Sequence, residues 1–130
     1  MDNPKKILII EDDQFLREFY QELLGAEGFL IDLAEDGETA SKKLSEGGYD
    51  LVMLDIMLPK KDGIQILRDN KNNPPKIKNG PIVALTNIGQ DAIVKTCFEL
   101  GATGYIIKSA MNPDQVLNEI HNFLRTPPII

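Results

Sequence analysis

Apolar residues in this chain come in short unbroken runs, separated by longer stretches with helical spacing. Ile7-Leu8-Ile9-Ile10, Leu51-Val52-Met53-Leu54 and Ile82-Val83-Ala84-Leu85 are such runs. Too short for helices and free of polar alternation, they predict strands covered on both faces. Phe29 to Ala34 and Tyr105 to Ile107 bring the predicted strands to five. Between them, Phe15, Leu16, Phe19, Tyr20, Leu23 and Leu24 fall on one face of a helix that Gly25 or Gly28 ends. Asp36 is placed to cap a short helix carrying Ala40 and Leu44, stopped by Gly47-Gly48. Ile64 and Leu67 face inward from a third helix, which Asn72-Asn73-Pro74-Pro75 breaks. Ile93, Val94, Cys97 and Phe98 mark a fourth, closed by Gly101. Asn112-Pro113-Asp114-Gln115 has the form of a helix start, with Asn112 as cap, Pro113 in the first position and Gln115 at the box position. Val116, Leu117, Ile120, Phe123 and Leu124 then form its buried stripe. Strand and helix alternate five times, which predicts an α/β architecture with a parallel sheet between two helix layers.

The polar residues that follow these runs carry the candidate chemistry. Glu11 and Asp12 follow the first predicted strand, Asp55 the third, Thr86 the fourth and Lys108 the fifth. In an open parallel sheet the C-terminal strand ends lie side by side, and sites are built there. Carboxylates, a hydroxyl and an ammonium then converge, a set suited to phosphoryl transfer onto an aspartate. Two carboxylates about 4 Å apart at an effective dielectric of 20 repel by about 4 kcal/mol. Three in one pocket must hold a cation or keep a proton on one of them.

Composition narrows the alternatives. The 130 residues suit one domain, and 42% hydrophobic with 26% charged is ordinary for a globular protein. A net charge of −6 argues against non-specific nucleic-acid binding. No apolar run approaches the roughly 20 residues that span a bilayer, so no membrane association and a cytoplasmic location are expected. Cys97 is the only cysteine and His121 the only histidine, which excludes an internal disulfide and cysteine- or histidine-rich metal sites. Cys97 reads as core and His121 as half-buried or solvated.

The acidic pair, Asp55, Thr86 and Lys108, with Leu58-Pro59 and Asp62-Gly63 after the aspartate, resemble the receiver domain of bacterial response regulators. The match covers roughly Lys5 to Leu124, with residues 125–130 a tail or the start of a linker. The resemblance implies a single receiver domain over residues 1–130, with a flavodoxin-like, doubly wound five-stranded parallel sheet in order 2-1-3-4-5 and five flanking helices. It implies Asp55 as phosphoacceptor and Glu11, Asp12, Asp55 and the Met57 backbone carbonyl around Mg²⁺ (or Mn²⁺). Lys108 would pair with a phosphoryl oxygen, and Thr86 would donate its hydroxyl to another. Thr86 and Tyr105 would form the switch that remodels the face of the fourth helix, fifth strand and fifth helix. The implied partners are a sensor histidine kinase or phosphotransfer protein and a downstream output domain or target, with homodimerisation through the same face. The domain would be a regulatory phosphoacceptor that catalyses its own phosphorylation and dephosphorylation, rather than an enzyme acting on other substrates.

Each residue alone also has a plain reading. An acidic pair after a strand is commonly a cap or a solvated turn, and Asp13 reads as a helix cap only. Three positions depart from the family pattern. Ser109 follows Lys108 where proline after a cis bond is usual, and a cis bond before a non-proline residue costs about 3 kcal/mol. Asn87 stands where a small residue is usual. Met57 and Ile88 are apolar where quickly dephosphorylated members carry polar side chains, which implies a long-lived phosphorylated form. Three other functions compete. A haloacid dehalogenase-type phosphatase needs a second Asp two residues after its nucleophile, where Met57 stands. A flavodoxin-like FMN protein needs a hydroxyl- and glycine-rich phosphate loop, where Glu11-Asp12-Asp13 stand. A degenerate receiver would signal by contact without phosphorylation.

Overall fold

The structure is a computed structural model and describes residues 3–87, 89–108 and 112–125. Its strands are β1 (Lys6–Ile10), β2 (Leu30–Ala34), β3 (Leu51–Asp55), β4 (Ile82–Thr86) and β5 (Gly104–Ile107). Its helices are α1 (Gln14–Gly25), α2 (Gly37–Glu46), α3 (Gly63–Asn72), α4 (Asp91–Glu99) and α5 (Pro113–Arg125). The strands form one parallel sheet in order β2-β1-β3-β4-β5. The fold class, strand order and helix number match the expectation.

Side chains of the central strands alternate between two cores, as the two-residue strand period requires. Leu8, Ile10, Val52, Leu54 and Ala84 pack with Ala40 and Leu44 of α2, Ile66 and Leu67 of α3, and Cys97 of α4. Ile7, Ile9, Leu51, Met53, Val83, Leu85 and Ile106 pack with Tyr20 and Leu24 of α1 and with Val116 and Ile120 of α5. Continuous apolar runs are therefore what a sheet covered on both faces needs. β2 and β5 are the exceptions, because edge strands are covered less completely, and their Leu30 and Tyr105 are exposed.

Local start signals act as read. Asp36 accepts from the Thr39 N–H at 2.8 Å, and Asn112 and Gln115 exchange two 2.9 Å bonds at the start of α5. Gly47 ends α2 at φ 78°, a left-handed conformation suited to glycine. Two side chains depart from the expected buried faces. Phe15 lies in the first turn of α1 and is 78% exposed. The sheet edge ends before that turn, so no strand covers it. Phe98 turns outward from α4 and meets Tyr105 edge-on at 6.2 Å, while Cys97 takes the core position. Ile66, not singled out in the sequence, is a buried anchor of α3, and Ile64 is half-buried. His121 is half-buried, as read, and packs beside Phe29. No helix among the described residues is long and apolar enough to cross a membrane.

Candidate functional site

The candidate residues meet at the C-terminal sheet edge because ladder hydrogen bonds continue to the ends of the strands. The Glu11 N–H donates to the Ala34 carbonyl at 3.0 Å and the Lys108 N–H to the Thr86 carbonyl at 2.8 Å. Glu11, Asp55 and Thr86 are all buried, whereas Asp12 is exposed. The Lys108 ammonium reaches back to bridge two of them, 2.8 Å from Asp55 Oδ2 and 2.9 Å from Glu11 Oε1. Its side chain is only 13% exposed. The other Asp55 oxygen, Oδ1, accepts from the Met57 N–H at 3.1 Å, which fixes the carboxylate plane.

Burial decides the protonation of this pocket. It pushes Glu11 up to about 8, with the shared contact to Asp55 adding to the rise and Lys108 opposing it. For Lys108, burial works downward, but the bonds to Asp55 and Glu11 outweigh it and hold the ammonium above its usual value. Tyr20 lies beneath the site, and its hydroxyl is raised to about 12, mainly by burial and then by the Glu11 charge.

One carboxylate oxygen from each of Glu11, Asp12 and Asp55 lies within 4.8 Å of the others. Three carboxyl groups face a single ammonium, so the donor set is rich in hard oxygens, and the raised Glu11 reflects how little positive charge the pocket itself supplies. That chemistry fits a divalent hard cation.

Thr86 Oγ1 is buried without a hydrogen-bond partner among the described residues. Buried hydroxyls are nearly always bonded, so this one stands apart from the other polar groups at the strand ends. Thr86 and Tyr105 line one cavity of about 140 Å³ with Asn87, Gln90 and Val94. Tyr105 is 44% exposed rather than core.

The structure thus brings Glu11, Asp12, Asp55, Thr86 and Lys108 together, with Met57 beside them and Tyr105 across the Thr86 cavity. Asp13 is the cap of α1, accepting from the Leu16 N–H at 3.1 Å. Ile88 and Ser109, with the bond before Ser109, lie outside the described residues. Sequence reading missed Arg17. Its guanidinium donates to the Glu11 carbonyl at 2.9 Å and the Asp12 carbonyl at 3.2 Å, pinning the acidic turn. An arginine in the second turn of an amphipathic helix carries no signal of that contact.

A doubly wound parallel sheet with an acidic pocket at its C-terminal edge, bridged by a lysine from the last strand, defines a receiver-type signalling module. The family model described as "Response regulator receiver domain" matches residues 7–121, and the chain belongs to that family. It is therefore a receiver domain of two-component signalling. Among curated relatives it is 36% identical over 123 residues to the transcriptional regulatory protein ResD of Bacillus subtilis, covering 95% of this chain and 49% of ResD. It is 34% identical over 120 residues to the chemotaxis protein CheY of Halobacterium salinarum, covering 92% of this chain and 97% of CheY. The chain thus spans about half the length of ResD and nearly all of CheY. Among solved structures, the BeF3-activated N-terminal receiver domain of Klebsiella pneumoniae RstA superposes with a TM-score of 0.81 at 33% identity, covering 94% of this chain and all of that one.

Proposed function

We propose that this receiver domain accepts a phosphoryl group on Asp55 from a phosphohistidine of a sensor histidine kinase or phosphotransfer protein. The observation that carries this reading is the Lys108 ammonium, buried and shared between Asp55 and Glu11, beside a Thr86 hydroxyl that has no partner among the described residues. A carboxylate oxygen of Asp55 forms the new O–P bond as the P–N bond breaks. The imidazole nitrogen keeps the bonding electrons and takes a proton from solvent. The catalytic demand is mainly positioning and charge neutralisation. The Met57 N–H orients the attacking carboxylate, and Lys108 shifts toward the incoming phosphoryl oxygens. Glu11, Asp12, Asp55 and the Met57 carbonyl would hold Mg²⁺ (or Mn²⁺), which supplies positive charge to those oxygens.

Thr86 gains the partner it lacks when a phosphoryl oxygen arrives beside it. Its inward movement enlarges the cavity it shares with Tyr105, and the ring follows. The surface of α4, β5 and α5 changes with the ring. That surface already presents exposed Phe98 and Tyr105 around a cleft of about 440 Å³, and an output domain or target protein reads it.

Intact mass after incubation with a small-molecule phosphodonor tests the reading. One added phosphoryl group is expected in the native chain, absent with chelator and absent in Asp55→Asn. A half-life of seconds without a phosphatase would refute the slow dephosphorylation expected from apolar Met57. No adduct with Mg²⁺ demonstrably bound would overturn the phosphoacceptor role.

A further inference from the structure

The loop between β3 and α3, from Ile56 to Asp62, carries Met57 to the rim of the acidic pocket. Its conformation is not one the chain adopts freely. Lys60 sits at φ 68°, in the left-handed region that side chains rarely occupy. Such a residue persists only where its surroundings hold it. At the backbone, the loop rests against the start of α2. The Gly37 N–H donates to the Pro59 carbonyl at 3.2 Å, and a Cβ on Gly37 would lie 1.8 Å from the Lys61 carbonyl oxygen. Lys60 and Asp36 approach at 3.6 Å, but the Lys60 side chain is 56% exposed, so that pair holds little.

Lys61 differs from Lys60. Its side chain is only 19% exposed and leaves the loop for the gap between two helices. The ammonium donates to Ser41 Oγ of α2 at 2.7 Å and is ion-paired with the Asp69 carboxylate of α3. Above Leu44 and Ile66 these helices are separated by a cleft of about 500 Å³, lined by Ser41, Ser45, Asp69 and Asn70. Below it the helices share the core of Ala40, Leu44, Ile66 and Leu67, and across it a charge-assisted bridge joins them. One side chain therefore ties the loop to both neighbouring helices.

We propose that Lys61 is a positioning residue: by joining the β3–α3 loop to α2 and α3 at once, it fixes the Met57 segment at the edge of the acidic pocket. The proposal rests on the reading under Proposed function only where metal binding is its readout. The loop readout is independent of any metal.

The test uses Lys61→Met, which keeps the stem and removes the charge, with Lys61→Arg as the conservative variant. Lys43→Met is the control, because it breaks a comparably half-buried ion pair of α2, that with Asp32, away from this loop. Amide hydrogen exchange at Met57 and Leu58 is measured in the metal-free proteins, and Mg²⁺ affinity by calorimetry. Lys61→Met is expected to speed exchange at both amides by about tenfold. It should also weaken Mg²⁺ binding by about tenfold, the usual scale for residues that orient ligands. Lys61→Arg should recover most of both, and Lys43→Met should lower Tm while changing neither. Unchanged exchange in Lys61→Met, or equal changes in Lys61→Met and Lys43→Met, would overturn the proposal. Faster exchange in a protein whose native form binds no Mg²⁺ would support the positioning role and overturn the metal reading alone.

Discussion

At the scale of single residues, two side chains show opposite uses of burial. Thr86 keeps a hydroxyl buried without a partner among the described residues. An unsatisfied buried polar group costs stability, so Thr86→Val should raise the free energy of unfolding by about 1 kcal/mol while uncoupling phosphorylation from the α4–β5–α5 surface. Urea denaturation read beside partner binding or Tyr105 fluorescence checks both halves. A destabilised Thr86→Val would show that the hydroxyl is satisfied after all. Asp32 is the reverse case, a satisfied carboxylate. Burial works to raise it, but the Lys43 ammonium at 2.7 Å, the Tyr49 hydroxyl at 2.6 Å and the Leu33 N–H hold it below the usual range. Its folded-state pKa therefore lies below the unfolded one. The stability it contributes is complete above about pH 4 and is lost as pH falls through the depressed value. Asp32→Asn should lower stability at neutral pH and flatten the acid limb of the stability curve. An acid limb identical to the native one would contradict that assignment.

At the scale of elements, the loop between α3 and β4 is fastened to the end of α2. The Lys76 N–H donates to the Ser45 carbonyl at 2.9 Å, and the Gly48 N–H to the Ile77 carbonyl at 3.2 Å. The contact depends on Gly47, where φ is 78° and a Cβ would lie 1.7 Å from the Ile77 carbonyl oxygen. Gly28 has a similar φ of 92° but open space around it. Gly28→Ala should therefore cost about 1 kcal/mol from the backbone alone, and Gly47→Ala clearly more. Equal midpoints in urea for the two variants would show that the loop yields freely. Much of this level was legible in the sequence. Glycines and caps act within a few residues, so Asp36, Gly47 and Asn112 announced the helix ends they make. The facing of Phe15 and Phe98 was not legible, because helical spacing marks an apolar stripe but not where the sheet beneath it stops.

At the scale of the whole molecule, the sheet collects negative charge at one edge of a chain whose net charge is already −6. A cation that binds the folded pocket and not the unfolded chain must stabilise the fold. Mg²⁺ at tenfold its dissociation constant should add about 1.4 kcal/mol, and Asp12→Asn or Asp55→Asn should blunt the gain. A melting temperature that does not move across a wide Mg²⁺ titration would refute a metal site here.

The order of strands and helices, the two-sided burial of the central strands and the polar residue after each strand can all be read along the chain. These depend on periodicity and on neighbours a few positions away, which any reader of the chain can count. That one ammonium is shared between Glu11 and Asp55, that Arg17 pins the acidic turn and that Lys61 spans α2 and α3 emerges only in the folded chain. Lys108 and Glu11 are 97 positions apart. They meet because the order β2-β1-β3-β4-β5 sets β1 beside β3 and carries the strand ends to one edge, where Glu11 and Asp55 are buried. Burial, and the shifted protonation that follows from it, belongs to that assembly rather than to any local stretch of residues.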